Sequence, residues 1–200
     1  IDNAYGWPFP GIVFSGATPL WTGHTIHVLS LSKLGLPGTR TAFVVAPERV
    51  ASAIASMVAI TGLANTNVGQ AIAGPLMASG EITRLAREVI RPFYMRKRDA
   101  ALAAVREFFP QDAAYALHES EGALFLWLWL ENSRRTSHEI YENLKKRGVL
   151  VVPGECFFFG TAADGWAHRH ECVRISYAMD DDTVRAGLKI IGEEIAASAR

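Results

Sequence analysis

Apolar and polar residues follow different patterns in the two halves of the chain. In the first half, residues 26–31 and 41–46 are continuous apolar runs of strand length, typical of strands covered on both faces of a sheet. Pro47 then precedes a helical pattern whose apolar residues form one stripe: Val50, Ile54, Met57 and Val58. Residues 65–79 are rich in Ala and Gly and contain Pro75, which predicts a closely packed, bent helix. The first half therefore predicts an α/β layer.

A long helical pattern, residues 81–109, connects this layer to the rest of the chain. Pro92 lies inside the pattern. Because proline lacks a backbone N–H and clashes with the preceding turn, we expect a kink there. The pattern also contains a basic cluster, which is typical of a solvated helix face and is alternatively an anion site. The cluster consists of Arg91, Arg96, Lys97 and Arg98.

The second half of the chain alternates strand and helix patterns. Three segments predict strands: residues 123–130, 149–152 and 172–177. In the first of these, Phe125, Trp127 and Trp129 share one face, which we expect to lie in the core. Residues 136–139 form a capping box that predicts a helix start, and residues 180–182 supply acidic groups for the start of a final helix. These elements predict one small sheet with helices on one face.

The charge balance and the cysteine content indicate which kinds of binding partner and which cellular compartment to expect. The 20 basic and 20 acidic residues give a formal net charge of zero, which argues against binding to nucleic acid or to a membrane surface. No apolar run approaches the roughly 20 residues that are needed to span a bilayer. The two cysteines are too few for a disulfide scaffold and are typical of a reducing cytoplasm. We therefore expect a cytoplasmic protein without nucleic-acid or membrane partners.

Lys33 is the first residue whose surroundings suggest chemistry. It follows an apolar run and has Ser30 and Ser32 before it, while a Gly/Pro turn and Arg40 come after it. The amine of a lysine held in such a loop can condense with an aldehyde, and hydroxyls with a guanidinium can hold a phosphate. The pattern favours an aldehyde cofactor that carries a phosphate. The alternative is a solvated lysine, which is common after a strand.

Asp2 and Tyr5 supply the groups that a pyridine ring requires. Asp2 leaves a strand end and Tyr5 follows it closely. A carboxylate can keep a pyridine nitrogen protonated, which makes the ring an electron sink, and a phenol can bond the ring 3-oxygen. Together with Lys33, these residues indicate one cofactor site.

Two later segments carry charged or metal-ligating side chains. Arg174 lies in an otherwise apolar strand, where a charge is seldom buried without a partner, so it predicts either a structural ion pair or a ligand contact. His168, His170 and Cys172 lie close together, with Cys156 upstream. Their spacing matches no regular zinc pattern, so we predict no metal site there and expect a loop over a pocket or plain surface.

Three segments together carry a resemblance to a known family. They are Asp-Asn-Ala-Tyr-Gly at residues 2–6, Ser-Leu-Ser-Lys with Pro-Gly-Thr-Arg within residues 30–40, and Cys-Val-Arg-Ile-Ser-Tyr at residues 172–177. These segments resemble the class I/II aminotransferases, which are pyridoxal-phosphate enzymes of fold type I, and particularly the bacterial valine–pyruvate aminotransferases. The likeness extends over residues 1–196.

The resemblance implies a fold and a domain organisation. It implies an α/β fold that forms part of the fold type I large domain, a mixed and mostly parallel sheet with helices on both faces, followed by a small α+β C-terminal domain. Residues 1–91 would be the C-terminal part of the cofactor-binding large domain, and residues 92–200 the small domain with its long linking helix. Because the chain does not begin with Met and family members are considerably longer, we expect it to be the C-terminal portion of an enzyme.

The resemblance also implies the roles of the candidate site residues. Lys33 would be the catalytic residue that binds pyridoxal 5′-phosphate and moves a proton on the substrate. The other cofactor contacts would come from Asp2, Tyr5, Ser30, Ser32 and Arg40. Arg174 would bind the α-carboxylate of the substrate.

We therefore predict a pyridoxal-phosphate-dependent aminotransferase that acts on amino-acid and 2-oxo-acid substrates. Valine–pyruvate exchange is the predicted reaction, and the full-length enzyme is predicted to be a homodimer. Two alternatives stay open. One is another pyridoxal-phosphate activity, such as a lyase or an aminotransferase-like transcription regulator, and the other is a non-catalytic fragment that binds no cofactor.

Overall fold

The chain separates into two structural units, Ile1–Tyr94 and Met95–Arg200. The computed structural model describes residues 1–63, 67–160 and 165–198. None of the helices within these residues combines the length and the apolar character that crossing a membrane requires. The domain division expected above, into a cofactor-binding part at residues 1–91 and a small domain at residues 92–200, stays a prediction.

The first unit is built around a pair of antiparallel strands. Its described strands and helices are β1 (His27–Ser30), β2 (Ala42–Val45), α1 (Glu48–Gly62), α2 (Val68–Ala78) and α3 (Glu81–Leu85). In the β1–β2 pair, Ser30 lies opposite Ala42. Asp2 forms a parallel bridge with Val28, so β1 has a parallel neighbour as well as an antiparallel one. The strands predicted at residues 26–31 and 41–46 are therefore present, although each is shorter than its apolar run.

The core of the first unit lies around β1 and the turn that follows it. Its buried apolar residues are Phe9, Leu29, Leu31, Leu34, Ala73, Ile82 and Ala86. Phe43 of β2 packs edge-on against Phe9, with the ring centroids 5.7 Å apart. This core fixes the Pro-rich N-terminal loop and helices α2 and α3 against β1.

Strand β2 and helix α1 remain largely exposed, which differs from the expected coverage on both faces. Val44 and Val45 are 39% and 45% exposed. No residue of α1 is buried, and Met57 of its apolar stripe is 57% exposed. The buried residues of this unit surround β1 and its turn, and none of them comes from β2 or α1.

The helical pattern around Pro92 contains a π-helical turn just before the proline. Helix α3 continues into this turn, Ala86–Ile90, and then into α4 (Arg91–Phe108). The N–H of Arg91 donates to the carbonyl of Ala86, five residues earlier. Pro92 has no N–H to continue the α-helical pattern at this point. The wider turn therefore absorbs the disruption just before the proline, where we had expected a kink.

The second unit contains an antiparallel sheet and the helices that pack with it. After α4, its described elements are β3 (Tyr115–Leu117), β4 (Phe125–Leu130), α5 (Ser137–Lys146), β5 (Val152–Pro153), β6 (Cys172–Ser176) and α6 (Asp181–Ser198). The strand order is β3-β4-β6-β5. Arg174 of β6 lies opposite Trp127 of β4 and opposite Val152 of β5. Directly opposed residues share a face, so these three side chains lie on one side of the sheet.

The sheet buries the leucines of β4, whereas its aromatic residues are only partly buried. Leu126, Leu128 and Leu130 are between 1% and 3% exposed. Helices α5 and α6 supply further buried apolar residues: Ile140, Leu144, Leu188, Ile191 and Ile195. The prediction that the face of β4 with Trp127 and Trp129 forms the core is therefore wrong. Aromatic residues and leucines alternate along β4, so the sequence pattern alone does not show which face is buried. The helices cover the leucine face.

The basic cluster of α4 matches the predicted solvated face at Arg96, which is exposed, but not at Arg91 or Lys97. Arg91 donates from Nη1 and Nη2 to the carbonyls of Val13 and Phe14, at 2.8 and 2.6 Å. Lys97 is buried, and its Nζ lies 2.7 Å from a carboxylate oxygen of Asp181. These two side chains are held by partners that are distant in sequence, which the local pattern of charges could not reveal.

The predicted starts of α5 and α6 are confirmed. The N–H of Thr136 donates to Glu139 Oε2 at 2.7 Å, and the N–H of Glu139 donates to Thr136 Oγ1 at 3.3 Å. The bond from the Thr136 backbone holds the pKa of the Glu139 carboxyl below its usual value. At the start of α6, Asp180 Oδ1 accepts from the N–H of Thr183 at 2.9 Å. Both caps satisfy N–H groups that a helix start leaves unpaired.

Gly192 of α6 lies directly against the end of α4. A Cβ atom added at Gly192 would lie 2.9 Å from the carbonyl carbon of Phe108 and closer still to its oxygen. We expect Gly192→Ala to lower the free energy of unfolding by about 1–3 kcal/mol, because the backbone must shift to accept the methyl group. Urea denaturation measures the change.

Gly187 in the same helix provides the matched control. A Cβ atom at Gly187 meets nothing within 4 Å. Gly187→Ala should therefore raise the free energy of unfolding by about 0.5–1 kcal/mol, because alanine loses less backbone entropy in a helix. Equal effects of the two substitutions would contradict the close packing of α6 on α4.

Candidate functional site

The turn after β1 presents Lys33 between two buried anchors. Lys33 is in the middle of a 3-10 turn, Ser32–Leu34. Leu31, directly before the turn, and Leu34, its last residue, are both buried. Gly35 ends the turn with φ of 98°, a left-handed conformation that glycine adopts without strain. The buried leucines fix the backbone on both sides of Lys33, while its own side chain remains partly accessible.

The amine of Lys33 lies over the ring of Tyr5. Its Nζ is 5.5 Å from the ring centroid. Within the described residues, no carboxylate forms an ion pair with this amine. The structure thus brings together the two predicted residues that carry the amine and the phenol, and it leaves the amine available for a ligand.

Asp2 is positioned by backbone pairing with β1. The N–H of Asn3 donates to the carbonyl of Val28 at 2.9 Å, and the N–H of Val28 donates to the carbonyl of Ile1 at 3.1 Å. The side chain of Asp2 is exposed, and its Oδ1 accepts from the N–H of Ala4 at 3.1 Å. Asp2 therefore lies beside the strand that leads to Lys33, and its second carboxylate oxygen has no hydrogen-bond partner among the described residues.

Asn3 shapes the loop that carries Tyr5, which sequence reasoning did not find. Asn3 is buried, and its Nδ2 donates to the carbonyl of Trp7 at 2.7 Å. A Cβ atom at Gly6 would lie 3.2 Å from Asn3 Cγ and would meet Asn3 Oδ1 even more closely. The loop therefore closes tightly around this amide. The sequence offers no motif that distinguishes Asn3 from an ordinary loop residue.

Ser30, Ser32 and Arg40 lie on the connection between β1 and β2. Ser30 Oγ accepts from the N–H of Ser32 at 3.1 Å. The N–H of Leu31 donates to the carbonyl of Thr41 at 3.2 Å, so the residue after Ser30 pairs with the residue after Arg40. Arg40 itself is exposed, with φ of 48°, and its Nη1 donates to the carbonyl of a residue in its own turn at 3.2 Å.

Arg174 in the second unit is held by aromatic rings. Its guanidinium carbon lies 4.0 Å from the ring centroid of Phe125 and 4.7 Å from that of Phe157. The Nε atom is buried and has no hydrogen-bond partner within the part of the chain that the structure describes. Among the described side chains, no carboxylate pairs with this guanidinium, so the alternative of a structural ion pair finds no support there.

The histidine and cysteine segment forms pairwise contacts. His170 Nδ1 lies 2.7 Å from Glu155 Oε2, and His168 Nε2 lies 3.4 Å from Cys172 Sγ. Burial raises the pKa of the Cys172 thiol to about 11, which opposes the thiolate form that binds metals. The described residues contain no group of three or more His, Cys, Asp or Glu side chains that could hold a metal ion.

Comparison with known proteins gives consistent matches over nearly the whole chain. Residues 2–191 match the family described as aminotransferase class I and II. The chain is 43% identical over 195 residues to the valine–pyruvate aminotransferase of Escherichia coli strain K12, covering 98% of this chain and 46% of that protein. It therefore spans about half the length of the curated relatives that it matches.

Two solved structures share the fold of the chain. The putative amino-acid aminotransferase from Psychrobacter arcticum 273-4 has a TM-score of 0.94 and 42% identity, covering 98% of this chain and 45% of that one. The valine–pyruvate aminotransferase from Salmonella typhimurium LT2 has a TM-score of 0.91 and 42% identity, covering 98% and 50%. The predicted α/β fold is confirmed by these structures.

Replacement of Asn3 should lower the stability of the protein more than replacement of Asp2. We expect Asn3→Ala to lower the free energy of unfolding by about 0.5–1.5 kcal/mol, because the bond from the buried Asn3 amide to the carbonyl of Trp7 is lost. Asp2→Asn, next to it in sequence but exposed, should change stability by no more than about 0.5 kcal/mol. Thermal or urea unfolding of both variants checks this, and an Asn3→Ala variant as stable as Asp2→Asn would contradict the proposed role of the amide.

Proposed function

The chain belongs to the class I and II aminotransferase family, and we propose that it takes part in a pyridoxal-phosphate-dependent exchange of an amino group between an amino acid and a 2-oxo acid. The observation that carries this proposal is the Lys33 amine held over the Tyr5 ring, 5.5 Å from its centroid, without a carboxylate partner among the described residues. A free amine next to a phenol is the arrangement that an aldehyde-bearing hydroxypyridine requires.

The residues around Lys33 fit a phosphorylated pyridine aldehyde. Asp2 retains a carboxylate oxygen that could face a protonated ring nitrogen, and the phenol of Tyr5 could donate to the ring 3-oxygen. Ser30, Ser32 and Arg40 share one connection, and their hydroxyl and guanidinium groups suit a phosphate dianion. These residues would hold the cofactor. When bound, pyridoxal phosphate supplies an electron sink that stabilises negative charge on the substrate α-carbon.

The protein residues would then perform three tasks in the reaction. The amine of Lys33, once free, would act as a general base that removes the proton from the α-carbon of the incoming amino acid, and as a general acid that delivers a proton to the α-carbon of the acceptor as the 2-oxo acid becomes an amino acid. The negative charge of Asp2 favours a proton on the ring nitrogen. Arg174, with its buried Nε lacking a protein partner, donates hydrogen bonds to the substrate α-carboxylate.

Valine and pyruvate are the substrate pair that we propose. The support is the 43% identity to an aminotransferase named for this pair and the 42% identity to a solved structure named for it. The homodimer, the cytoplasmic location and the absence of nucleic-acid and membrane partners stay predictions. Incubation of the active protein with valine and pyruvate, followed by detection of alanine, tests the substrate pair. Turnover of an amino acid without any 2-oxo acid would favour the lyase alternative.

Lys33→Ala should abolish the exchange. The variant lacks the amine that binds the cofactor and moves the proton, and no neighbouring lysine in this turn could replace it. Borohydride treatment of the parent protein with pyridoxal phosphate should attach a phosphopyridoxyl group to the peptide that contains Lys33, as peptide mass spectrometry would detect.

An exposed lysine of α6, Lys189, provides the control for this experiment. Lys189→Ala should keep both the activity and the borohydride labelling of Lys33. Labelling at another lysine, or substantial turnover by Lys33→Ala, would remove Lys33 from the proposed mechanism. A parent protein without any labelling would favour a non-catalytic chain.

Asp2→Asn should lower the rate of exchange about a hundredfold or more while the protein remains folded. The substitution keeps the shape of the side chain but removes the charge that favours a protonated ring nitrogen, and preorganised charges of this kind contribute on this scale. Steady-state kinetics of the variant measure the loss. Activity within a few-fold of the parent would leave Asp2 with only its bond to the Ala4 N–H.

A further inference from the structure

Arg174 differs from two other buried or half-buried cations of the second unit, Lys97 and Arg135. The amine of Lys97 lies 2.7 Å from a carboxylate oxygen of Asp181. Arg135 pairs with the carboxylate of the buried Glu194. Arg174 contacts aromatic rings instead, and its buried Nε lacks a partner. The position of this guanidinium is therefore determined by something other than an opposite charge.

Aromatic contacts hold a cation without using its hydrogen-bond donors. A ring face attracts a guanidinium electrostatically. It has no carboxylate oxygen to compete for the N–H groups. Phe125 and Phe157 can thus fix the guanidinium of Arg174 and leave its N–H groups ready for a bidentate carboxylate. A protein carboxylate at this place would have to be displaced by every substrate.

Phe157 owes its position to a short turn that is attached to the strand of Arg174. The turn is a 3-10 helix, Gly154–Phe157. Gly154 packs so closely on Cys172 of β6 that an added Cβ atom would lie 2.7 Å from the Cys172 carbonyl oxygen. Phe157 also packs edge-on against Trp127, with the ring centroids 5.3 Å apart.

A second attachment holds the other side of this turn. Glu155 Oε2 lies 2.7 Å from His170 Nδ1, in the segment directly before β6. The turn is thus connected to β6 through Gly154 and to the residues before β6 through Glu155. Arg174 belongs to β6, so the strand that holds its guanidinium also anchors the turn that ends at Phe157.

We propose that Phe125 and Phe157 are positioning residues that orient Arg174 for the substrate carboxylate. The inference rests on the proposed function, and it adds the means by which the carboxylate site is kept open and aligned. Loss of one ring would allow the guanidinium to adopt other rotamers, so carboxylate binding would weaken while the chemistry at the α-carbon would change little.

Phe157→Leu in the cofactor-loaded protein tests this inference. We expect the KM for valine to rise about tenfold. A tenfold change corresponds to about 1.4 kcal/mol, which one cation–π contact can supply. The kcat should stay within about threefold of the parent, since the proton transfer is unaffected. Calorimetry should show the same weakening for 3-methylbutanoate, which keeps the carboxylate of valine but lacks its amine and cannot react.

Three further substitutions test whether the effect comes from positioning or from general damage. Phe157→Tyr keeps the ring and should restore binding to within about twofold of the parent, as expected when the ring face is the contact. Phe158→Leu removes the neighbouring ring, which contacts Trp127, Trp166 and His168, and should leave the KM unchanged. Phe125→Leu should reproduce the effect of Phe157→Leu.

The possible outcomes distinguish the inference from the proposed function. Equal KM and binding constants in Phe157→Leu and the parent would overturn the positioning role, and so would a similar loss in Phe158→Leu. A parent that binds 3-methylbutanoate more tightly than Phe157→Leu does, but exchanges no amino groups, would overturn the proposed function and leave the positioning role of the two rings intact. The slow reaction of 2-methylpropylamine, which lacks a carboxylate, should be equal in Phe157→Leu and the parent; a loss there would also contradict the inference.

Discussion

Two backbone hydrogen bonds to Val28 determine where the candidate site forms. They pair the N-terminal segment in parallel with β1, one of them from the N–H of Asn3 at 2.9 Å. Parallel strands end at the same edge of a sheet, and ligands of α/β proteins commonly bind outside that edge. Asp2 and the loop with Tyr5 are thereby placed beside the strand that leads to Lys33. Residues from opposite ends of a long connection can contact one another only because this pairing is made.

The two cations assigned to chemistry are held in the same way, although they belong to different units. Lys33 lies over Tyr5, and Arg174 lies over Phe125 and Phe157. Aromatic rings stabilise a positive charge without neutralising it. The amine and the guanidinium therefore keep their capacity to react or to donate hydrogen bonds. Lys97 and Arg135 of the second unit, for which we propose no chemical role, pair with carboxylates instead.

Sequence reasoning succeeded where neighbours within a few residues decide the structure. The capping box at Thr136 is such a case. Motifs also predicted that Tyr5 and Lys33 belong together, and the structure places the Lys33 amine over the Tyr5 ring although the two residues are distant in sequence. Sequence reasoning failed where packing between residues that are distant in sequence decides the structure. The alternation along β4 is the same for both faces, so only the helices that cover one face reveal which is buried. The burial of Lys97 depends on Asp181, 84 residues away. The remaining site assignments stay predictions.

The π-helical turn at Ala86–Ile90 acts as a one-residue insertion in an otherwise continuous helix. Each residue of an α-helix turns the chain by about 100° around its axis. Deleting one residue from this turn would restore the regular hydrogen-bond ladder, yet it would rotate Arg91 away from the carbonyls of Val13 and Phe14 that it now contacts. The length of this segment is therefore under tighter constraint than the identity of its exposed residues. Insertions and deletions here should be tolerated less well than substitutions.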